Sequence, residues 1–416
     1  MNIIKTLSVR KPKASLPIAA IILASLGYFV DIYDLLLFSI VRIESLKSLG
    51  LSGEAATKSG IFLLNVQMAG LMIGGVFWGI LGDKKGRLNV LFGSILLYSL
   101  ANIANGFAQT VDQYAVLRFI AGFGLAGELG AGVTLVVELM PKNKRGYATT
   151  VIAGVGISGA VVAHFIANAF DWRTAFFIGG MLGICLLFLR ISIAESAIFQ
   201  NAKKQSHSRG NFLSLIVNRE RSFKYLKCIL IGLPIWFGAG LLMTLSPEFG
   251  KSLGVKGPVN AGLAIACCYG GSVIGDLVSG LLSQYLRSRV KAVFIFLILT
   301  ALSITLYLTL NDLTLFQFYT VCVFFGFSAG YWVLFITISA EQFGTNMRAT
   351  VTTTTPNFVR GAVIPLSLLF QNLKLVFHGS MIYSAGIVAL LTMLISFWAL
   401  SRIKETFSTD IDYFEN

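Results

Sequence analysis

Two stretches of this chain, 88–109 and 379–401, contain no Asp, Glu, Lys or Arg. Each exceeds the roughly 20 residues that carry a helix across a bilayer. Lipid offers the backbone no hydrogen-bonding partner, so a segment buried there satisfies its own N–H and C=O groups as a helix. The rest of the chain follows suit: 56% of its 416 residues are hydrophobic and only 12% are charged, with a mean hydropathy of +0.78. A water-soluble domain needs a polar exterior, which segments apolar all round do not supply. The composition therefore predicts an all-α integral membrane protein.

Twelve spans are expected, at about 16–40, 60–82, 88–109, 112–140, 147–169, 173–191, 224–248, 258–286, 290–310, 313–341, 349–373 and 379–401. With that threading, 24 of the 33 Lys and Arg fall on one side, in both termini and alternate loops, including Arg190. Seven, among them Arg42, fall on the other, while Arg118 and Arg360 lie inside spans. The basic side is the cytoplasmic one, so both termini are expected inside, in the inner membrane of a bacterium. The formal charge of +14 then records topology and attraction to anionic lipid, not nucleic-acid binding.

The chain also repeats itself. Gly70, Ile73, Gly74, Gly79 and Leu81 recur as Gly271, Ile274, Gly275, Gly280 and Leu282, at a constant offset of 201. Glu138 and Arg145 recur as Glu341 and Arg348 at an offset of 203. Such duplication predicts two pseudo-symmetric six-helix bundles, 1–191 and 224–416, joined by a polar cytoplasmic connector, 192–223, carrying one or two surface helices. A protein built this way holds a solute between its halves and exposes it to each side in turn.

The loop "GILGDKKGRLNV" after span 2 has a physics of its own. Gly79 lets two helices approach closely, Gly86 permits the turn, and Asp83 can pair with a basic group or a helix N-terminus. With Arg87 closing it, the loop resembles the one that defines the major facilitator superfamily, where it latches the cytoplasmic face. In the second copy Gln284 replaces Asp83 and Ser288 replaces Arg87. The pairs Glu138/Arg145 and Glu341/Arg348 resemble the inner-gate charges of that superfamily's sugar and organic-ion porters, which implies gating. Together the resemblances imply the twelve-helix major facilitator fold and secondary active transport over nearly the whole chain.

Charged groups inside spans mark the candidate site, because burial is expensive without a purpose. Asp31 and Asp34, three residues apart, share one face of span 1. Two carboxylates in low dielectric do not both ionise cheaply, so one is expected to hold a proton. Their Asp-x-Tyr-Asp element resembles span 1 of organic-anion and phosphate symporters. In span 4, Arg118 resembles the superfamily's buried arginine, a partner for an acid. Glu128 lies ~15 Å further along the helix, in a "GELGAG" segment resembling bacterial metabolite:proton symporters. Arg360 in span 11, with Asn357 one turn away and Pro356 and Pro365 flanking a kink, is the candidate anion anchor. Asp276 stands in span 8 where the first repeat has Gly75, and His164 lies deep in span 5. Both join Asp31, Asp34 and Glu128 as proton-coupling candidates. Tyr331 and Trp332, with Tyr28, Tyr33 and Trp236, offer aromatic contacts to a substrate.

The five cysteines show no metal-ligand spacing, and neither a phosphate-binding loop nor a nucleophile–base constellation is present in the sequence. An enzyme and a resident cofactor or metal are therefore not expected. Span 5 also lacks the Gly-Pro kink of the superfamily's drug/proton antiporters. The reading is a functional monomer that takes up a small anionic metabolite, such as a carboxylate, by proton symport. Its competitors are an exporter of a drug or a small secreted chelator such as a siderophore, and, more remotely, a transporter-shaped receptor or scaffold.

Overall fold

The computed structural model describes residues 15–85, 87–128, 145–194 and 212–407. Gly86 and Glu138, and the side chains of Asp83, Arg87 and Arg145, lie outside the described residues, as does most of the connector. Eight helices are long and apolar enough to cross a membrane, and the pair Arg219–Ile231 and Leu233–Leu242 together make a ninth span. The shorter apolar helices Asn89–Asn105 and Gly154–Ala169 are spans 3 and 5, and Val111–Leu125 begins span 4. These complete the twelve.

Two of the three repeated glycine pairs are explained by close packing of spans 2 and 4, and of spans 8 and 10; the third, Gly79 and Gly280, lies outside that seam. A Cβ on Gly70 or Gly74 would strike the carbonyls of Phe119 and Phe123 in span 4. One on Gly271 or Gly275 would strike those of Val323 and Phe327 in span 10. Both halves thus use the same small-residue seam to bring two backbones together. Across the bundles, span 2 packs on span 11 and span 5 on span 8.

Three spans of the second half are broken, two of them beside a proline. Span 7 bends by 41° at Gly232, just before Pro234, which has no N–H to give the Leu230 carbonyl. The Ser396 hydroxyl of span 12 donates to that carbonyl at 2.7 Å, and the Tyr331 hydroxyl donates to the neighbouring Ile231 carbonyl at 3.1 Å. A π-helical turn, Phe237–Leu242, follows. Span 10 divides into Leu315–Ala329 and Trp332–Glu341. Span 11 breaks between its two prolines, as expected: the helix Thr345–Gly361 runs through Pro356, and Val363–Val376 continues it. The break falls where Pro365 cannot donate to the carbonyl of Gly361. Broken spans are tolerated at membrane depth only where protein or water satisfies the backbone.

The connector departs from expectation at its end. Span 7 begins at Arg219, and the short connector helix Phe212–Val217 has one buried side, with Leu215 buried and Ile216 and Val217 exposed. Phe212 is buried, with its ring 6.1 Å from Phe358 and 6.5 Å from Tyr225. Two cations assigned to loops also turn out to be interior: Arg42 and Arg190 are 1% and 6% exposed.

Candidate functional site

Where spans 7, 10 and 11 break, a pocket opens between the bundles. Span 1 contributes Tyr28 and Ile32 and span 5 contributes Ile157; the second half supplies Trp236, Tyr269, Asp276, Trp332 and Arg360, among others. Arg360 is 1% exposed. Its guanidinium lies 5.5 Å from the Trp236 ring centre and 5.9 Å from that of Trp332, and the two indoles stand 6.3 Å apart. The aromatic faces favour the cation and present flat apolar surface to a ligand beside it.

The polar partners of Arg360 are sparse. Nη1 donates to Asn357 at 3.4 Å, and Nε has no partner among the described residues. Its one ion pair is with Asp31 of the opposite bundle, at a loose 3.8 Å. Neither oxygen of Asp31, which is fully buried, accepts a hydrogen bond among the described residues. A guanidinium has five N–H donors in a rigid fork, so most of its capacity is unspent at the centre of the molecule. Asn357 fixes it from below: its amide donates to the Ala126 carbonyl of span 4 at 3.1 Å and to Thr353 at 3.0 Å.

Asp34 occupies a second cluster, inside the first bundle. It faces Arg118 and Asn102, yet among the described residues neither of its oxygens meets hydrogen-bond geometry. Arg118 is held by Asn105 at 3.1 Å and Asn102 at 2.5 Å and lies 4.6 Å from the Phe176 ring centre. Its Nη1, the Tyr98 and Tyr114 hydroxyls and the Ser99 hydroxyl are also buried, with no hydrogen-bond partner among the described residues.

Glu128 is not an isolated acid. Arg190 of span 6 grips it with two hydrogen bonds, at 3.0 and 2.5 Å, and donates to the Leu23 carbonyl of span 1 at 3.2 Å. This pair ties spans 1, 4 and 6 together. His164 lies outside the pocket, with Nε2 against Asn168 at 3.1 Å and Nδ1 unpartnered. Tyr331 also lies outside: it is fully buried with its hydroxyl spent on span 7. Tyr33 likewise donates to the Ala175 carbonyl at 2.9 Å.

Of the gating residues, Gly79 faces Thr354 across the span 2–span 11 contact. Glu341 pairs with Arg289 at 3.3 Å and accepts from the Thr406 hydroxyl at 2.6 Å. Arg348 donates to the Ala340 carbonyl at 3.2 Å. Among the pocket residues that sequence reasoning passed over are Tyr269 and Ser272 of span 8, where no periodic signal shows which way they point. Arg190 was overlooked as a partner because a cation at the end of a span reads as a topology signal.

A family model for the Major Facilitator Superfamily matches residues 20–367. The chain is 33% identical over 201 residues to the sialic acid transporter NanX of Escherichia coli K12, covering 47% of this chain and 48% of the relative. It is 26% identical over 360 residues to the gentisate transporter of Corynebacterium glutamicum, covering 80% and 76%. The match to NanX thus spans about half the length of that relative. Among solved structures, the partially occluded inward-open xylose transporter XylE of E. coli superposes with a TM-score of 0.72 at 17% identity, over 95% of this chain and 100% of the other. Two bundles related by a repeated glycine seam, a pocket between them and this match along most of the sequence lead to one assignment: the chain belongs to the Major Facilitator Superfamily.

Proposed function

We propose that the protein is a proton-coupled symporter that carries a small organic anion, best a flat carboxylate, by alternating access. The observation carrying this reading is Arg360, buried between two indoles and matched only by Asp31 across the bundle interface. In the empty carrier Asp31 is the counter-anion. A proton on its carboxyl cancels that charge and leaves the guanidinium fork to the substrate carboxylate, which binds it bidentately. The loaded carrier rocks to the other side. There Asp31 loses its proton, reclaims Arg360 and displaces the substrate. Termini and connector are placed in the cytoplasm by the basic loops, in a bacterial inner membrane, with one chain sufficient for the cycle. The names of the relatives, sialic acid and gentisate, are in keeping with an acidic solute.

One proton moving with one monoanion transfers no net charge. A difference of one pH unit then supplies about 1.4 kcal/mol, enough for about tenfold accumulation at most. Proteoliposomes loaded at alkaline pH and given an acidic exterior with labelled benzoate test this. Wild type accumulates the acid, insensitively to a potassium-diffusion potential. Asp31→Asn retains counterflow exchange, because Arg360 is free, but loses accumulation driven by pH. Undiminished pH-driven accumulation in Asp31→Asn overturns the assignment of Asp31.

A further inference from the structure

We propose that Asp276 is a second recognition point in the central pocket, so that the pocket takes carboxylates that also carry a hydroxyl or amino hydrogen-bond donor. This rests on the reading of Arg360 as the carboxylate anchor. Asp276 stands at the position of Gly75 in the first repeat, and the two sites face different things. A Cβ on Gly75 would meet the Asn357 amide of span 11, 2.9 Å away, so in that repeat the opposite bundle closes on the helix. In the second repeat the helix carries a carboxylate, and that carboxylate lines the pocket.

The two oxygens of Asp276 are used unequally. Oδ1 accepts from the Val333 N–H at 3.1 Å, in the first turn of the helix Trp332–Glu341 that follows the break in span 10. That bond fixes the side chain and sets the anion at the positive end of a helix. Oδ2 is shut from solvent and has no partner among the described residues. A buried carboxylate oxygen left unpaired is costly, and a ligand donor supplies what it lacks. Ser272, one turn away on the same helix, does not compete for this role. Its hydroxyl is already given to the Cys268 and Gly326 carbonyls, at 3.0 and 3.1 Å. Asp276 is the only carboxylate among the pocket-lining residues, while the polar tips of Trp236, Trp332 and Arg360 are donors and the Tyr28 and Tyr269 hydroxyls serve either way. The pocket therefore pairs a donor-rich end with a single strong acceptor, across flat aromatic walls.

The test measures binding to the purified full-length protein in detergent by calorimetry, with tryptophan fluorescence as a second readout. The probes are benzoate, its ortho, meta and para hydroxy and amino derivatives, and the matching methoxy compounds. A hydrogen bond to a charged acceptor is worth about ten- to a hundredfold in affinity. At least one hydroxy or amino isomer should exceed its methoxy counterpart by that ratio. Asp276→Asn keeps a carbonyl for Val333 and turns the free position into a donor; it should abolish or reverse the preference. Equal binding of donor and methoxy isomers to wild type overturns the proposal without need of any variant, as does a preference that survives in Asp276→Asn. If benzoate itself still binds in either case, Arg360 keeps its assignment and only Asp276 loses its own. If no acid in the series binds, the anchor reading fails and this one fails with it.

Discussion

At the scale of single residues, the buried charges divide into those with full partners and those without. Glu128 and Arg190 are mutually satisfied, with two hydrogen bonds and a third to Leu23. A pair of this kind holds helices together; breaking it by removing one member costs about 3–5 kcal/mol, because the other charge stays buried. Arg190→Ala should therefore destabilise the protein in detergent by roughly that amount. Arg190→Met with Glu128→Gln, which removes both charges and keeps the volume, should recover most of the loss. Thermal melting of the three proteins decides it, and an undisturbed melting temperature in Arg190→Ala would show the pair to be dispensable. Asp31, Asp34 and Arg360, by contrast, keep unpartnered atoms in the interior. The sequence exposed these groups by type, because ionisable residues inside apolar runs stand out. It did not disclose which of them are spent, since that depends on the residue facing them from another helix.

At the scale of elements, the sequence made the existence of the helices legible and left their rotation hidden. Tyr331 and Trp332 are neighbours at the break in span 10, where Tyr331 is not helical and the helical repeat does not set their relative direction. One packs against span 7 while the other lines the pocket. In a run that is apolar all round, no periodic signal separates them. The segment after span 12 shows the same limit. Glu405, from a tail with no evident motif, receives hydrogen bonds from the Ser288 hydroxyl and from the Arg289 and Val290 N–H groups at the start of span 9. Thr406 reaches Glu341, and Gln342 donates to the Lys404 carbonyl at 2.7 Å. The tail is thus strapped across the gating charges of the second bundle. Burial of Glu405 disfavours its charge, but the donors on Ser288, Phe407, Arg289 and Val290 outweigh it and hold its carboxyl below the usual 4.5. A folded-state value below the unfolded one means that docking is at full strength above about pH 4.5 and is lost as acid titrates the docked group. Hydrogen exchange of residues 402–407, corrected for intrinsic rates, should show constant protection from pH 7 to about 5 and falling protection below. Glu405→Gln should lack that protection at neutral pH. Equal protection in the variant would mean that the tail is held by something else.

At the scale of the whole molecule, alternating access requires that each face be able to open, so contacts crossing between the bundles set the balance of states. On the face opposite the basic loops these contacts converge on one pair. Arg42 of span 1 donates to both oxygens of Glu248 after span 7, at 2.6 and 2.8 Å, and to the Thr244 carbonyl at 3.2 Å. Around it, Thr57 donates to Glu248 at 3.2 Å, Thr244 to Ser39 at 2.9 Å, and Ser367 to Asn65 at 2.8 Å. Each joins one bundle to the other, and opening this face breaks them all. The sequence placed Arg42 among loop cations, because its acid lies in the other half of the chain and no local pattern connects the two. Charge-assisted hydrogen bonds of this kind are worth about 1.5–3 kcal/mol each. Removing the charge with Glu248→Gln should therefore raise the population open on this face by about ten- to a hundredfold relative to the closed one. Spin labels at Lys58 and Lys256, both exposed on that face, report the opening as a longer inter-label distance in a background where Cys185 is replaced. Wild type should give mainly the short distance, and Glu248→Gln a mixture shifted to the long one. Transport should slow in the variant, because a carrier that rests open on one side returns through the closed state less often. A distance distribution unmoved by Glu248→Gln would instead leave the closed face to the apolar packing of spans 2 and 11 and of spans 5 and 8.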